Sequence, residues 1–222
     1  MLFRSSCFFL FLWGMVMNDA DTGGLLNVLN GKMGISAPNN SVSVNKLINI
    51  HNPCSYDELE ALIEYHYLFD CDCGVKSKGT VRDFGVRLFE SQLEFFGEYL
   101  FSLEECIRWE YDLFVKNSLK GNQMENRAVE CLSRCLDGFE VCSSSGFVDE
   151  VLRVDVEVFC DGVLVCGVQV KPFSYVFMRE EVKFVNCKGN SDYDGSVFYL
   201  FYDDDGFFMN LDIVVCDVLE CV

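Results

Sequence analysis

In the stretch Arg153 to Pro172, RVDVEVFCDGVLVCGVQVKP, acidic, amide and amino side chains interrupt two apolar runs at alternate positions. Side chains alternate across a strand, so Asp155 and Glu157 share one face while Val154, Val156 and Val158 share the other. By the same rule Gln169 and Lys171 lie together, opposite Val168 and Val170. Whether the two polar faces coincide depends on the turn at Asp161-Gly162. A two-residue loop sets Asp155 opposite Val168 and separates the polar groups. A three-residue loop, Cys160 to Gly162, pairs Phe159 with Val163 and puts Asp155 on the side of Gly167, Gln169 and Lys171. That loop needs its third residue in the left-handed region, where glycine sits without strain, and Gly162 stands there. One polar cluster is therefore the expectation. A carboxylate with further oxygen ligands on adjacent strands can hold Mg²⁺. Such an ion activates water and stabilises charge on a phosphodiester, and a neighbouring lysine orients or deprotonates the nucleophile. The same alternation also suits an ordinary hairpin whose polar side faces water.

A second carboxylate points the same way. In QMENRAVECLSRCL, Glu125 shares a helical face with Val129, Leu132 and Leu136. Burying it is costly unless it is paired or metal-bound. The plain alternative is a glutamate at the stripe's edge, held by Arg127 or a cap.

The elements that must position these groups change character at Gly146. Before it, Ser55-x-x-Glu58, Thr80-x-x-Asp83 and Ser102-x-x-Glu105 are capping-box patterns opening three helices. Their expected apolar positions are Leu59, Leu62, Ile63 and Tyr67; Phe84, Leu88, Leu93 and Phe96; and Ile107, Tyr111 and Phe114. A fourth helix spans about Gln123 to Leu136. Residues 18–53 read as loops around the short apolar stretch Leu47 to Ile50. After Gly146 the period becomes that of strands: 151–159, 163–171, 196–202 and 207–216, the last pair around the acidic turn at Asp203 to Gly206. Helices followed by a sheet make an α+β or mixed α/β chain.

Charge cuts against a nucleic-acid partner. Thirty-five acids against 17 bases give a net charge of -18, whereas phosphate neutralisation supplies most of such affinity. The bases that could meet phosphate lie mainly before the hairpin, at Lys76, Lys78, Arg82, Arg87, Arg108, Lys116, Lys120 and Arg127. Thirteen cysteines are scattered without regular spacing. Cys160, Cys166 and Cys216 read as small core hydrophobes in strands. Cys71-Asp72-Cys73 and Cys131-x3-Cys135 invite a zinc reading, but no CxxC pair exists and the histidines are His51 and His66. A reducing cytoplasm is the simpler account. Met1 to Met17 resembles a signal peptide's charged start and apolar run, followed by a poor cleavage site. A start at Met15 or Met17, or a buried strand, are the alternatives. The run is too short to span a bilayer, and no membrane association is expected.

With the hairpin and Glu125 in view, the chain resembles the PD-(D/E)xK nuclease superfamily, and more narrowly restriction endonucleases of the MjaI type. The matching stretches are YDLFVKNSLKGNQMENRAVECL (Tyr111 to Leu132), VDVEVF (Val154 to Phe159) and GVQVKPFSY (Gly167 to Tyr175), with a weaker echo in GKMGISAPNN (Gly31 to Asn40). The resemblance implies a restriction-endonuclease-like core at 116–222, a central mixed sheet flanked by helices. A helical part at 18–115 would help grip DNA. It implies Asp155 as the central Mg²⁺-binding aspartate, Gln169 in place of the second acid, Lys171 as the motif lysine and Glu125 as the helix acid. Gln169 departs from the usual acid, so Glu157 or Glu125 would have to compensate in the metal shell, with Asp149 in reserve. The implied activity is site-specific cleavage of double-stranded DNA in a restriction-modification system, by a homodimer. Two other readings remain: a degenerate nuclease relative that only binds DNA, and a secreted or anchored interaction protein.

Overall fold

The computed structural model describes residues 24–37, 41–144, 146–178 and 180–222 (Glu181 by its backbone only); the apolar segment 1–17 lies outside them. The chain divides into two compact units, the first ending at Leu119 and the second starting at Lys120.

The N-terminal unit is helical, and its caps form where the sequence places them. Helices α1 (Leu25–Met33) and α2 (Val44–His51) occupy a region that reads as loop in the sequence. Their apolar residues are few but well placed: Leu26, Leu29, Leu47 and Ile48 are all buried. Ser55 caps α3 (Tyr56–Leu68), its hydroxyl accepting from Glu58 N–H. Full reciprocal boxes, Thr80 with Asp83 and Ser102 with Glu105, open α4 (Val81–Phe96) and α5 (Leu103–Tyr111). Each box satisfies two N–H groups that the first helical turn leaves without partners.

Two expected apolar positions are displaced. His66 takes the buried end of the α3 stripe after Leu59 and Ile63, while Tyr67 is exposed. In α4, Gln92 is buried and Leu93 exposed. The Gln92 amide explains the exchange. It accepts from the N–H groups of Leu100 and Phe101 (2.9 and 2.8 Å) and donates to the Phe101 carbonyl (3.0 Å), tying down the chain after α4. Gly85 lets α5 approach closely, since a Cβ there would stand 2.6 Å from Ile107 Cα.

A π-helical segment (Asp112–Lys116) leads into α6 (Asn117–Cys135), which runs on into the C-terminal unit and starts earlier than its sequence pattern suggests. That unit adds β1 (Phe139–Ser143), α7 (Phe147–Glu150), β2 (Val156–Cys160), β3 (Val163–Pro172), a 3-10 turn (Phe173–Phe177), α8 (Glu180–Ser191), β4 (Ser196–Tyr202) and α9 (Leu211–Leu219). The four strands form one mixed sheet in the order β1-β2-β3-β4. The first three are antiparallel; β4 is parallel to β3, as the crossover through α8 requires.

One sheet face carries Val156, Val158, Cys166, Val168, Val170 and Leu200, which pack with Met124, Ala128 and Leu132 of α6, Leu136 just beyond it, and Val214 and Val218 of α9. Burying side chains of this size contributes roughly 1.5–3 kcal/mol each. The opposite face meets α8.

Four sequence expectations fail here. The segment 207–216 is a turn and helix rather than a strand. Leu211, Val214, Val215 and Val218 recur with the helical period and cover the core from one side. Cys216 is therefore exposed on a helix, and Cys160 is only half-buried, which leaves Cys166 as the buried thiol of the three. The strand expected from Val151 begins at Val156, because Val151 to Asp155 turn into the sheet and Arg153 takes a positive φ of 60°. The polar-rich β1 and α8 were not expected.

The hairpin turn differs as well. Cys160 pairs with Val163, so the loop has two residues, and both Asp161 (φ 51°) and Gly162 (φ 76°) are left-handed, as a type I′ turn requires. The register then shifts: Phe159 faces Leu164 but Val158 faces Cys166, so Val165 is an extra, bulged residue. One bulged residue restores the parity that the two-residue turn would have cost. Carried one residue beyond Val156↔Val168, the register sets Asp155 opposite Gln169.

Candidate active site

Asp155 stands where β2 begins, pinned on both sides. Its N–H donates to the Val168 carbonyl (3.0 Å) and its carbonyl accepts from Ser144 N–H (3.0 Å). The carboxylate is almost fully buried, at 6% exposure. Its Oδ2 accepts from Val170 N–H (2.7 Å) and lies 3.3 Å from Lys171 Nζ. The side chain thus takes the place of a ladder partner for β3 just where β2 has not yet begun. Lys171 is half-buried beside it. An ion pair this sheltered is costly unless its geometry is completed by further polar groups.

Those further groups are acids. Glu125, near the middle of α6, lies at the edge of the stripe formed by Met124, Ala128, Leu132 and Leu136. Burial pushes its carboxyl up from 4.5 to about 8, with the Asp155 and Asp149 charges adding to the rise and Lys171 opposing it. Asp149 of α7 is also raised, by burial and then by Asp155, again against Lys171. Arg127 does not neutralise Glu125: it donates to the Gly206 carbonyl (2.9 Å) and stacks over Phe207. Three carboxylates therefore share one lysine. The group holds more potential negative charge than its own cation balances, the electrostatic condition that favours a divalent ion.

Gln169 and Glu157 are turned to other partners. Gln169, fully buried, donates from Nε2 to Asn186 Oδ1 on α8 (3.1 Å), and its Oε1 lies 3.2 Å from the Asn190 amide. With the Asn190 nitrogen turned to the Leu152 and Arg153 carbonyls (2.9 and 3.2 Å), its oxygen accepts from Tyr199 Oη (2.8 Å). Glu157 Oε1 accepts from Tyr193 Oη (3.1 Å), and that phenol is pushed up by burial and by the carboxylate. The structure thus pairs Asp155 with Lys171 within the electrostatic reach of Glu125 and Asp149, and binds Gln169 to α8 and Glu157 to Tyr193 just after it. Asp149 carried little signal in the sequence, because a four-residue helix rather than a strand delivers it.

In the N-terminal unit, Arg82, Arg108 and Lys116 surround an open depression together with Glu104, Ile107 and Tyr111. Lys116 lies over the Tyr111 ring and pairs with Asp112 at 2.7 Å. These are three of the bases picked out by sequence as able to meet phosphate. Among the described residues no helix is long and apolar enough to cross a membrane, and the twelve described cysteines are free thiols. No family model, curated protein or solved structure matches the chain.

Proposed function

We propose that the chain is a Mg²⁺-dependent endonuclease that cleaves double-stranded DNA at specific sites, with Asp155, Glu125, Asp149 and Lys171 at its centre. The observation that carries this reading is the buried Asp155–Lys171 pair on a hairpin whose bulge restores the polar face, with the half-buried carboxyls of Glu125 and Asp149 electrostatically coupled to it. The donor set suits the ion. Carboxylate oxygens are the ligands Mg²⁺ prefers, and it retains several waters. Bound there, Mg²⁺ would supply Lewis acidity for phosphodiester hydrolysis.

The protein groups have separate tasks. Asp155 would anchor the ion, with Glu125 or Asp149 as the second carboxylate. Gln169, taken in the resemblance as a ligand, instead fixes β3 against α8. Lys171 Nζ, held at 3.3 Å from Asp155, sits where it can orient the attacking water or meet the scissile phosphate. The Arg82, Arg108 and Lys116 depression supplies phosphate contacts that position DNA without reading its bases. The mixed sheet with helices on both faces agrees with the restriction-endonuclease-like core that the resemblance implies, and a homodimer would match a palindromic site.

A second reading, the same fold binding DNA without cutting it, is favoured by the commitment of the Gln169 amide to α8. Plasmid digestion with Mg²⁺ or Mn²⁺ separates the two. Discrete fragments from wild type, absent with Asp155→Ala and Lys171→Ala, support the enzyme. Retarded but intact plasmid supports the binding module.

A further inference from the structure

The N-terminal unit contains a ligand set that nothing in the nuclease reading uses. His51 closes α2, His66 lies in the last turn of α3, and Cys71 and Cys73 follow in the loop. One ligand atom from each lies within 4.8 Å of every other. In a tetrahedral zinc site, with Zn–S near ~2.3 Å and Zn–N near ~2.0 Å, ligand atoms stand about 3.3–3.8 Å apart. The four ligand atoms are therefore close enough for small side-chain shifts to bring them onto one ion.

Three details show that the groups are presented rather than merely close. His66 Nδ1 is 2.7 Å from the Leu62 carbonyl, which can only accept, so Nδ1 carries a proton. The Nε2 lone pair is left facing Cys73 Sγ at 3.2 Å. A backbone carbonyl on one ring nitrogen is the usual device for aiming the other at a metal. The loop is folded to offer its sulfurs: Gly74 N–H closes a turn onto the Cys71 carbonyl (3.0 Å) with Gly74 at φ 71°. Val75 N–H donates to Cys73 Sγ (3.4 Å), a contact that favours a thiolate, and Ser77 N–H ties the segment leaving the loop to the His66 carbonyl (3.0 Å). Finally, His66 is wholly buried in a unit built on small apolar clusters.

We propose that His51, His66, Cys71 and Cys73 form a structural zinc site that fastens α2, α3 and the following loop. Two thiolates and two neutral imidazoles balance the charge of Zn²⁺, so binding releases the two thiol protons and leaves no net charge beside buried His66. All four positions are protein ligands, which makes the site closed and structural. Soft sulfur with imidazole selects zinc over magnesium. In the sequence Cys71-Asp72-Cys73 is only a weak zinc signal, because Cys-x-Cys lacks the usual spacing and the histidines come from two separate helices.

The test uses the full chain, purified under reducing conditions. Metal analysis should find one equivalent of zinc. After its removal, one equivalent of Co²⁺ should give a tetrahedral spectrum with thiolate-to-metal charge transfer. Cys71→Ser and Cys73→Ser should abolish that spectrum. His51→Asn, at an exposed helix end, should retain the fold by circular dichroism and weaken Co²⁺ binding by at least about tenfold. Cys54→Ser should change nothing. Chelation should lower the wild-type melting temperature by more than that of His51→Asn. The proposal is overturned if reduced wild type takes up no stoichiometric zinc or Co²⁺, or if the spectrum survives in both cysteine variants. Recovery of Cys71 and Cys73 as a disulfide from the reduced preparation would equally overturn it.

Discussion

Replacing Glu125 with glutamine should stabilise the metal-free protein at alkaline pH, an unusual result for a half-buried charged residue on a core helix. Burial and the neighbouring Asp155 and Asp149 raise the Glu125 carboxyl from 4.5 to about 8. The folded chain therefore holds this proton more tightly than the unfolded chain. Its contribution to stability is complete below pH 4.5 and is lost as the pH rises to about 8. At ~1.4 kcal/mol per pH unit, the loss is at most ~5 kcal/mol, and a few kcal/mol after relaxation of the site. Glu125→Gln removes the titration and keeps the shape. In urea unfolding with EDTA, the variant should match wild type near pH 4.5 and exceed it by roughly 2–4 kcal/mol at pH 8. Glu110 also titrates in this window, so the difference between the proteins is the informative quantity. Mg²⁺ should narrow that gap: at about 100 times its Kd it would stabilise wild type by ~2.7 kcal/mol and the variant by much less. A variant that is less stable than wild type at pH 8 in EDTA, or that shows the same pH slope, refutes the account of a charge-frustrated site.

Three further outcomes follow from particular contacts. Asp155→Asn keeps an oxygen for Val170 N–H, so unfolding free energy should fall by only ~1 kcal/mol, while Mg²⁺-dependent cleavage is lost. Gly85→Ala drives a Cβ to 2.6 Å from Ile107 Cα, backbone that cannot yield locally, and should cost roughly 1–3 kcal/mol by thermal melting. Ser36 Oγ donates to both Glu110 oxygens (2.9 and 2.8 Å) and opposes the burial that raises this carboxyl to about 7. Glu110 is raised, so its stabilising contribution is lost as pH rises from 4.5 through about 7. Ser36→Ala should accordingly cost ~1–3 kcal/mol at pH 8 and clearly less at pH 4.5, where Glu110 is protonated in the folded protein; an equal loss at both would contradict this.

The parts of the fold set by local chemistry could be read from the sequence. Ser55, Thr80 and Ser102 announce their helices because a cap is a contact between residues three apart. The Asp155, Gln169 and Lys171 face could be read because strand parity is local, although the parity arises from a two-residue turn plus a bulge at Val165 rather than from a longer turn. What was hidden depends on distant partners. The run 207–216 has both strand-like residues and a helical apolar stripe, and the core beneath Val214 and Val218 decides between them. Gln92 and His66 displaced Leu93 and Tyr67 because each satisfies buried polar groups that no periodicity records. Asp149 enters the acidic cluster through tertiary folding, and the His51, His66, Cys71 and Cys73 group assembles from two helices and a loop.

The most direct test is to incubate the purified chain with genomic DNA and Mg²⁺ and to sequence every new end. The account predicts ends that share one short sequence, appear only with divalent metal, and vanish with Asp155→Ala and with Lys171→Ala. DNA left intact with both Mg²⁺ and Mn²⁺, or cleavage that persists in both variants, would contradict it.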